Sequence, residues 1–310
     1  MDLTEGVGDH LSATCDLSIV IVSWNVKEKL SACLESLSSG ALRGLAHEII
    51  LIDNASQDGT VEMVRARFPN VRLITNATNA GYAAANNQGI ELAKGRYVLL
   101  LNPDTVVPED ALAQLVKGMD ADATIGVASP VLTDEEGLPQ YYGGMRYPGA
   151  RWSSVARETN AAPAGRGSFR EMAFVIGAAM IVRREVLERV GPLDAGFFMY
   201  YEDIDLCKRA REAGWRVGVF EDIRIVHAKR ASTGQWSAER RQQNYFAAEL
   251  RFHRKHYSRL KYARLVATRW LGVLWCLCWY GTLGRLFVRD GGMKFHEYVG
   301  RLRVLIGRTT

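Results

Sequence analysis

LSIVIVSW (17–24) is β-branched and almost wholly apolar. A strand with one wet face alternates apolar and polar residues. This one does not, so it predicts a strand covered on both faces, as in a parallel sheet layered between helices. Downstream, Leu30, Cys33, Leu34 and Leu37 recur at helical spacing, and Gly40 suits the end of that helix. EIILIDN (48–54) reads as a second buried strand. Asp58 and Thr60 can then cap a helix carrying Val61, Val64 and Phe68, stopped by Pro69. VRLIT (71–75) is a third strand, AAANNQGIELAKG (83–95) a helix, and RYVLLLNPD (96–104) a fourth strand, with Pro108 fitting the first turn of the next helix. The βαβαβαβ order implies a mostly parallel sheet with right-handed crossovers.

The pattern dissolves from about 131 to 172, where turn formers dominate TDEEGLPQYYGGMRYPGARW and NAAPAGRGS. AFVIGAAMIV (173–182) returns as a strand. Glu202 to Ala213 reads as a helix ended by Gly214, and WRVGVF (215–220) and IRIVH (223–227) as two short strands. The chain divides into three regions: a disordered N-terminus over 1–15, an α/β domain over 16–235, and a basic, Trp-rich helical region over 236–310. The composition is globular, with 48% hydrophobic and 24% charged residues, and the net charge is a mild +5. Five cysteines form an odd set without framework or zinc-knuckle spacing, which points to a reducing, cytoplasmic setting. The polar, acidic start has no apolar signal region.

Ligands of open α/β sheets bind beyond the carboxyl ends of the strands. Four polar clusters fall at such ends: Asp53-Asn54, Asn79-Ala80-Gly81, Asn102-Pro103-Asp104 and His227. Asp53 can accept the N3–H of a uracil or thymine ring, or merely close an Asx turn in DNASQDG. Gly81 before a helix start suits phosphate, although an ordinary glycine loop has the same look. Asp104 can hold Mg²⁺ or Mn²⁺ while diphosphate oxygens complete the shell, or can cap the next helix. Glu202, Asp203 and Asp205 crowd a helix start. Capping explains acids there, and so does a base that takes a proton from a sugar hydroxyl. His227 ends a strand at the same sheet edge and can join a metal shell or be an ordinary polar residue.

Taken in order, SIVIVSWN, LIDNASQDGT, NAGYAAANNQG, LLLNPD, FVIGAAMIVRREVLERVGPLDAGFFMYYEDIDLCKRAREAGW and IVHAKRAST resemble the inverting glycosyltransferase family 2, closest to its bacterial rhamnosyltransferase-like subgroup. The resemblance runs from about Leu17 to Thr233. It implies a GT-A fold with a C-terminal helical extension. It also implies a nucleotide-diphosphate sugar of uridine or thymidine type bound by Ser23, Asn25, Asp53, Asn79, Gly81, Asn86, Asn102 and Asp104. Asp104 would be the last position of the metal-binding DxD motif, with Mg²⁺ or Mn²⁺ shared by His227. Asp203 would be the general base, beside Glu202. Asn102 departs from the Asp common at its position, which leaves one charge fewer near the diphosphate. A sugar nucleotidyltransferase would carry a Gly-rich, Arg/Lys-bearing segment where SWNVKEKL stands. A binding module without turnover has no use for the Glu202-Asp203 pair. The implied product is a cell-envelope polysaccharide, with a glycan or lipid-linked acceptor and no nucleic-acid partner; an oligomer is possible.

Residues 239–264 include Arg240, Arg241, Arg251, Arg254, Lys255, Arg259, Lys261 and Arg264. WLGVLWCLCWYGTLGRLFV (270–288) comes next, flanked by Arg269 and interrupted by Arg285. Its unbroken apolar stretch is shorter than the ~20 residues of a spanning helix. Trp and Tyr favour the bilayer interface and Arg reaches headgroups. The expectation is a peripheral helix at the inner face of the membrane.

Overall fold

The computed structural model describes residues 15–140, 143–148, 169–228, 236–281 and 291–307. The expected disorder over 1–15 falls, apart from Cys15, outside them, as does Arg285. β1 (Leu17–Ser23) is buried at all seven positions, as its lack of alternation requires. It sits between β2 (His47–Asp53) and β4 (Tyr97–Leu101), parallel to both, with Ser23 opposite Asp53. β3 (Arg72–Thr75) extends β2 outward. Helices α1 (Lys27–Ser36), α2 (Thr60–Arg67) and α3 (Tyr82–Leu92) supply the crossovers, and α4 (Ala111–Ala121) comes after β5 (Thr105–Val106).

Two apolar layers result. Leu30, Cys33, Leu34 and Leu115 pack with Ile19 and Ile21 of β1, while Ala83 and Ala85 of α3 share the opposite layer with Val20 and Val22. The sheet continues through β10 (Ala179–Arg183), antiparallel between β4 and β6 (Ile125–Thr133), to β11 (Arg216–His227), which is parallel to β6. The expected α/β fold forms, but its sheet is mixed rather than mostly parallel, with β10 reversed between β4 and β6.

Two local expectations change, and both matter for function. The segment 173–182 is not one strand. β9 (Phe174–Val175) pairs with β7 (Gly143–Gly144) in a small second sheet, and the chain re-enters the main sheet only at Ala179. The break leaves the Gly177 N–H outside any ladder, where it donates to Asp203 Oδ2 at 2.9 Å. Conversely, 215–220 and 223–227 form a single strand, β11, with a register shift between Phe220 and Arg224. Such a bulge re-aims the residues beyond it. Past this bulge, His227 pairs with Thr105 of β5, the neighbour of Asp104.

The remaining elements are β8 (Phe169–Glu171), on the free side of β11, α5 (Arg184–Val190), α6 (Glu202–Glu212), α7 (Ala238–His256), α8 (Arg259–Gly281) and α9 (Gly291–Leu305). Compositionally α7 belongs to the basic region after 235, yet it is fastened to α6. Asp205, with no side-chain exposure, takes Arg209 at 2.8 Å, Lys255 at 2.8 Å and His256 at 2.7 Å. Asp194 takes Arg251 at 2.7 Å and Lys255 at 2.9 Å.

Candidate active site

A cavity of about 550 Å³ opens at the carboxyl ends of β1 and β4 and is closed on its far side by α6 and α7. Its floor carries Asn54, Asn79, Asn102 and Asp104, with His227 arriving from β11. His227 Nε2 lies 3.4 Å from Asp104 Oδ1, and the Asn102 amide donates to the same nitrogen at 3.3 Å. Gln140 is the reason the ring faces this way. Its Nε2 donates to the His227 carbonyl at 2.6 Å, and its Oε1 stands 3.3 Å from Nδ1. With the proton on Nδ1, Nε2 is the acceptor nitrogen, turned toward Asn102 and Asp104 at the cavity floor; outer partners fix metal-binding imidazoles in the same way.

Glu202 and Asp203 open α6 on the opposite wall. Tyr200 and Tyr201 hold left-handed φ values of 73° and 69°, so the chain swings sharply before the acids. Asp203 accepts from Gly177 N at 2.9 Å and from Ile204 N at 2.7 Å. Burial raises its pKa, and those two N–H donors pull against the rise. Glu202 is more extreme. It is 5% exposed, its Oε2 has no partner among the described residues, and burial together with Asp203 pushes its pKa well above the usual range. Both acids are thus pushed up by burial, Glu202 further because Asp203 adds to the rise and no side-chain donor opposes it, whereas Asp203 has two backbone donors that favour its charged form. Asp205, on the same turn, faces away into the α7 contact and is held below the ordinary range by His256, Lys255 and Arg209 against the cost of its burial.

The other expected residues build walls rather than line the cavity. Asp53 is buried. Its Oδ2 accepts from Ser56 N at 2.9 Å, whereas its Oδ1, like Ser23 Oγ beside it on β1, has no partner among the described residues. Asn25 takes a left-handed φ of 51° and accepts from Gln57 N at 2.7 Å, holding that same loop. Gly81 is required by protein, not by an open approach: a Cβ there would meet the Phe198 carbonyl oxygen at 2.6 Å. The first amide of α3 is also taken, since Tyr82 N donates to Phe198 O at 2.7 Å. The phosphate reading of this loop loses that donor. Asn86 donates to the Tyr82 carbonyl, and Tyr82 OH to the Gly177 carbonyl at 2.7 Å, which ties α3 to the loop under Asp203.

Sequence reasoning missed the α7 wall. Trp236, Arg241, Gln242 and Tyr245 line the cavity, as do Trp24 and Tyr200. Trp236 lies 6.2 Å between ring centroids from both Trp24 and Phe198, and Tyr245 meets Tyr200 edge-on at 5.7 Å. Asn54 was visible beside Asp53. It organises the 76–81 loop, donating to Asn79 Oδ1 at 3.1 Å and accepting from Ala80 N at 3.2 Å.

The architecture recurs among solved glycosyltransferases. A mannosyltransferase from Pyrobaculum calidifontis, in complex with GDP-Man and Mn²⁺, matches with TM-score 0.55 at 18% identity, covering 94% of this chain and 88% of that one. GalNAc-T7 with UDP, GalNAc and Mn²⁺ matches with TM-score 0.60 at 20% identity over 76% of this chain, which spans about half, 48%, of its length. The fold is therefore of the GT-A class. The model of "Glycosyl transferase family 2" matches residues 18–191, more than half of the chain, and the chain belongs to that family. It is a nucleotide-sugar-dependent glycosyltransferase. An N-acetylglucosaminyl-diphospho-decaprenol L-rhamnosyltransferase of Mycobacterium tuberculosis is 29% identical over 245 residues, 71% of this chain and 78% of that one. A low-salt glycan biosynthesis hexosyltransferase of Haloferax volcanii is 26% identical over 219 residues, 68% of this chain and 67% of that one.

Proposed function

We propose that this glycosyltransferase moves L-rhamnose from a thymidine-diphosphate donor to a hydroxyl of a lipid-linked glycan in cell-envelope polysaccharide synthesis, with inversion. The observation that carries the reaction is the placement of Asp203 across one cavity from the Asp104–His227 pair. The mycobacterial relative's L-rhamnosyl transfer and diphospho-decaprenol acceptor support the choice of sugar and carrier.

In this reading Asp203 takes the acceptor hydroxyl proton. The freed oxygen attacks the anomeric carbon from the face away from the nucleotide, so one displacement inverts the centre. The N–H groups of Gly177 and Ile204 hold the Asp203 carboxylate in place. Glu202, kept protonated by burial, adds no second charge beside the attacking oxygen. Asp53 Oδ1, a buried acceptor without a partner among the described residues, suits the N3–H of a pyrimidine. Asp104 and His227 fit a divalent cation, Mg²⁺ or Mn²⁺. They offer a carboxylate oxygen and an imidazole nitrogen with its other side fixed by Gln140, and such ions keep few protein ligands when phosphate completes the shell. When bound, the cation would supply neutralisation of the charge that grows on the leaving diphosphate.

No helix among the described residues is long and apolar enough to cross a membrane. α8 nevertheless exposes Leu271 at 70% and Trp275 at 74%, along with Leu274 and Trp279. In the proposed reading this stripe rests on the cytoplasmic leaflet and presents the cavity to its acceptor. Arg269 takes no part, because Glu249 of α7 holds it at 2.5 Å. Incubation with a panel of nucleotide sugars, with and without Mn²⁺, tests the donor and the metal together. Hydrolysis confined to thymidine- or uridine-linked sugars and abolished by chelator is expected. Turnover indifferent to the base or to chelator would overturn the reading.

A further inference from the structure

Arg240 and Arg241 stand in the first turn of α7, where the helix dipole is positive and cations are disfavoured. Glu239 in the same turn is engaged by Arg303 of α9. Among the other arginines of the C-terminal helices, Arg251 holds Asp194, Arg269 holds Glu249, and Arg301 donates to Gln242 Oε1 at 2.9 Å. Arg241 faces into the catalytic cavity, and its side-chain partner among the described residues is the backbone carbonyl of Trp236. No carboxylate lies within ion-pair distance of it among those residues. Beside it, Trp236 is 5% exposed and lines the same cavity, and its indole N–H has no acceptor among the described residues.

A guanidinium without a counter-ion, an unmatched N–H donor and a helix N-terminus in one wall of a cavity together call for an anion. The cavity supplies none at that wall. Its own carboxylates are Asp104 on the floor and Glu202 and Asp203 at the start of α6. A second anionic group entering beside them is repelled unless a cation meets it. One turn beyond Arg241, Tyr245 is 46% exposed and packs on Tyr200 and Tyr201, at 5.7 and 5.4 Å, just before the acid pair. Arg241 thus shares its helix face with the residue that borders the base.

Resting on the lipid-linked acceptor proposed above, we infer that Arg241 and the start of α7 form a phosphate subsite for the acceptor. The guanidinium takes the diphosphate that joins the acceptor sugar to its carrier, and Tyr245 offers an aromatic wall to the sugar. Arginine suits this task because its planar fork pairs with two phosphate oxygens at once.

Tryptophan fluorescence, reported in part by Trp236, can track binding of three probes to the full chain: inorganic pyrophosphate, a short prenyl diphosphate, and thymidine diphosphate with Mn²⁺. Arg241→Gln is expected to weaken pyrophosphate and prenyl diphosphate about tenfold or more, the usual order for a lost charge-assisted pair. It should leave thymidine diphosphate within about twofold, and Arg241→Lys should recover part of the loss because it keeps the charge without the fork. Arg189→Gln, on exposed α5, controls for net charge. Selective loss of thymidine diphosphate would assign Arg241 to the donor and overturn the inference, as would equal binding of all three probes to Arg241→Gln. Failure of the unmodified protein to bind pyrophosphate and prenyl diphosphate while it binds thymidine diphosphate would likewise overturn the inference, whereas loss of thymidine diphosphate binding alone in the unmodified protein would count against the proposed donor and not against the acceptor subsite.

Discussion

Glu202 and Asp205 lie three residues apart on the first turn of α6, both buried, and their environments are opposite. Glu202 borders the cavity, has an oxygen without a partner among the described residues, and is driven towards the neutral form. Asp205 points into the seam with α7, meets Arg209, Lys255 and His256, and stays ionised below its ordinary range. A buried carboxylate is costly unless paired. The seam meets that cost with cations from a helix fifty residues downstream, and the cavity leaves it standing. The seam therefore braces α6 against α7, while the cavity leaves the acid pair without a counter-ion among the described residues, as the proposed base would require.

Four substitutions probe this contrast. The largest effect belongs to the cavity. Asp203→Asn should lower turnover by about 10²–10⁴-fold with donor binding nearly unchanged. For the unsubstituted enzyme, burial raises the Asp203 pKa, so activity should fall away on the acid side at a pH above the ordinary aspartate value of 3.8. Near-normal turnover in the variant would move the base elsewhere.

At the seam, Asp205→Ala should cost roughly 1–3 kcal/mol of unfolding free energy, because Arg209, Lys255 and His256 lose a shared buried acceptor while Lys255 keeps Asp194 and Arg209 keeps its backbone carbonyls. The folded-state pKa of Asp205 lies below 3.8, so its contribution is present above that pH and is lost as pH falls through the depressed value. The denaturation midpoint of the variant should therefore approach that of the unsubstituted protein in acid. A constant difference across pH would contradict the ionic account.

Asp53 is an intermediate case, with one oxygen satisfied by Ser56 N and the other not. Asp53→Ala should weaken uridine or thymidine nucleotides by about 1–3 kcal/mol in titration calorimetry. Equal loss for purine nucleotides would show that the residue merely shapes the loop.

The smallest effect is at Glu202. Its folded-state pKa lies well above the ordinary 4.5, so its stabilising contribution is complete below 4.5 and is lost as pH rises through the raised value. Glu202→Gln should therefore raise the melting temperature near neutrality by a few degrees and leave it unchanged below about pH 4. A lower melting temperature at neutral pH would show that Glu202 is ionised and paired.

The order of strands and crossovers was readable in the chain because each depends on local pattern. LSIVIVSW lacks alternation, EIILIDN and RYVLLLNPD repeat that property, and helical spacing separates them. Asp53, Asp104, Glu202, Asp203 and His227 were readable as candidates because polar residues at strand ends and helix starts are also local features. Their grouping was not. His227 reaches Asp104 because β11, after a bulge that shifts its register against β6, ends by pairing with β5, and no spacing in the sequence encodes a pairing across 123 residues. The break at Gly177, which gives Asp203 its backbone donor, was hidden inside an apolar run. Gly81 was read as a phosphate loop or an ordinary glycine turn, and the group that presses on it is the Phe198 carbonyl. The basic stretch after 235 looked like a surface for lipid, and composition could not separate its members. Tertiary structure divides them: Lys255 braces α6, Arg251 holds Asp194 in the loop before it, Arg269 is held by Glu249, and Arg241 turns into the cavity. Sequence by itself determined the first four strands and the helices between them, because those depend on neighbours along the chain. Which charges are paired and which are left for a substrate was decided only by the packing of α7 on α6, because burial and Coulomb energy depend on distance in space.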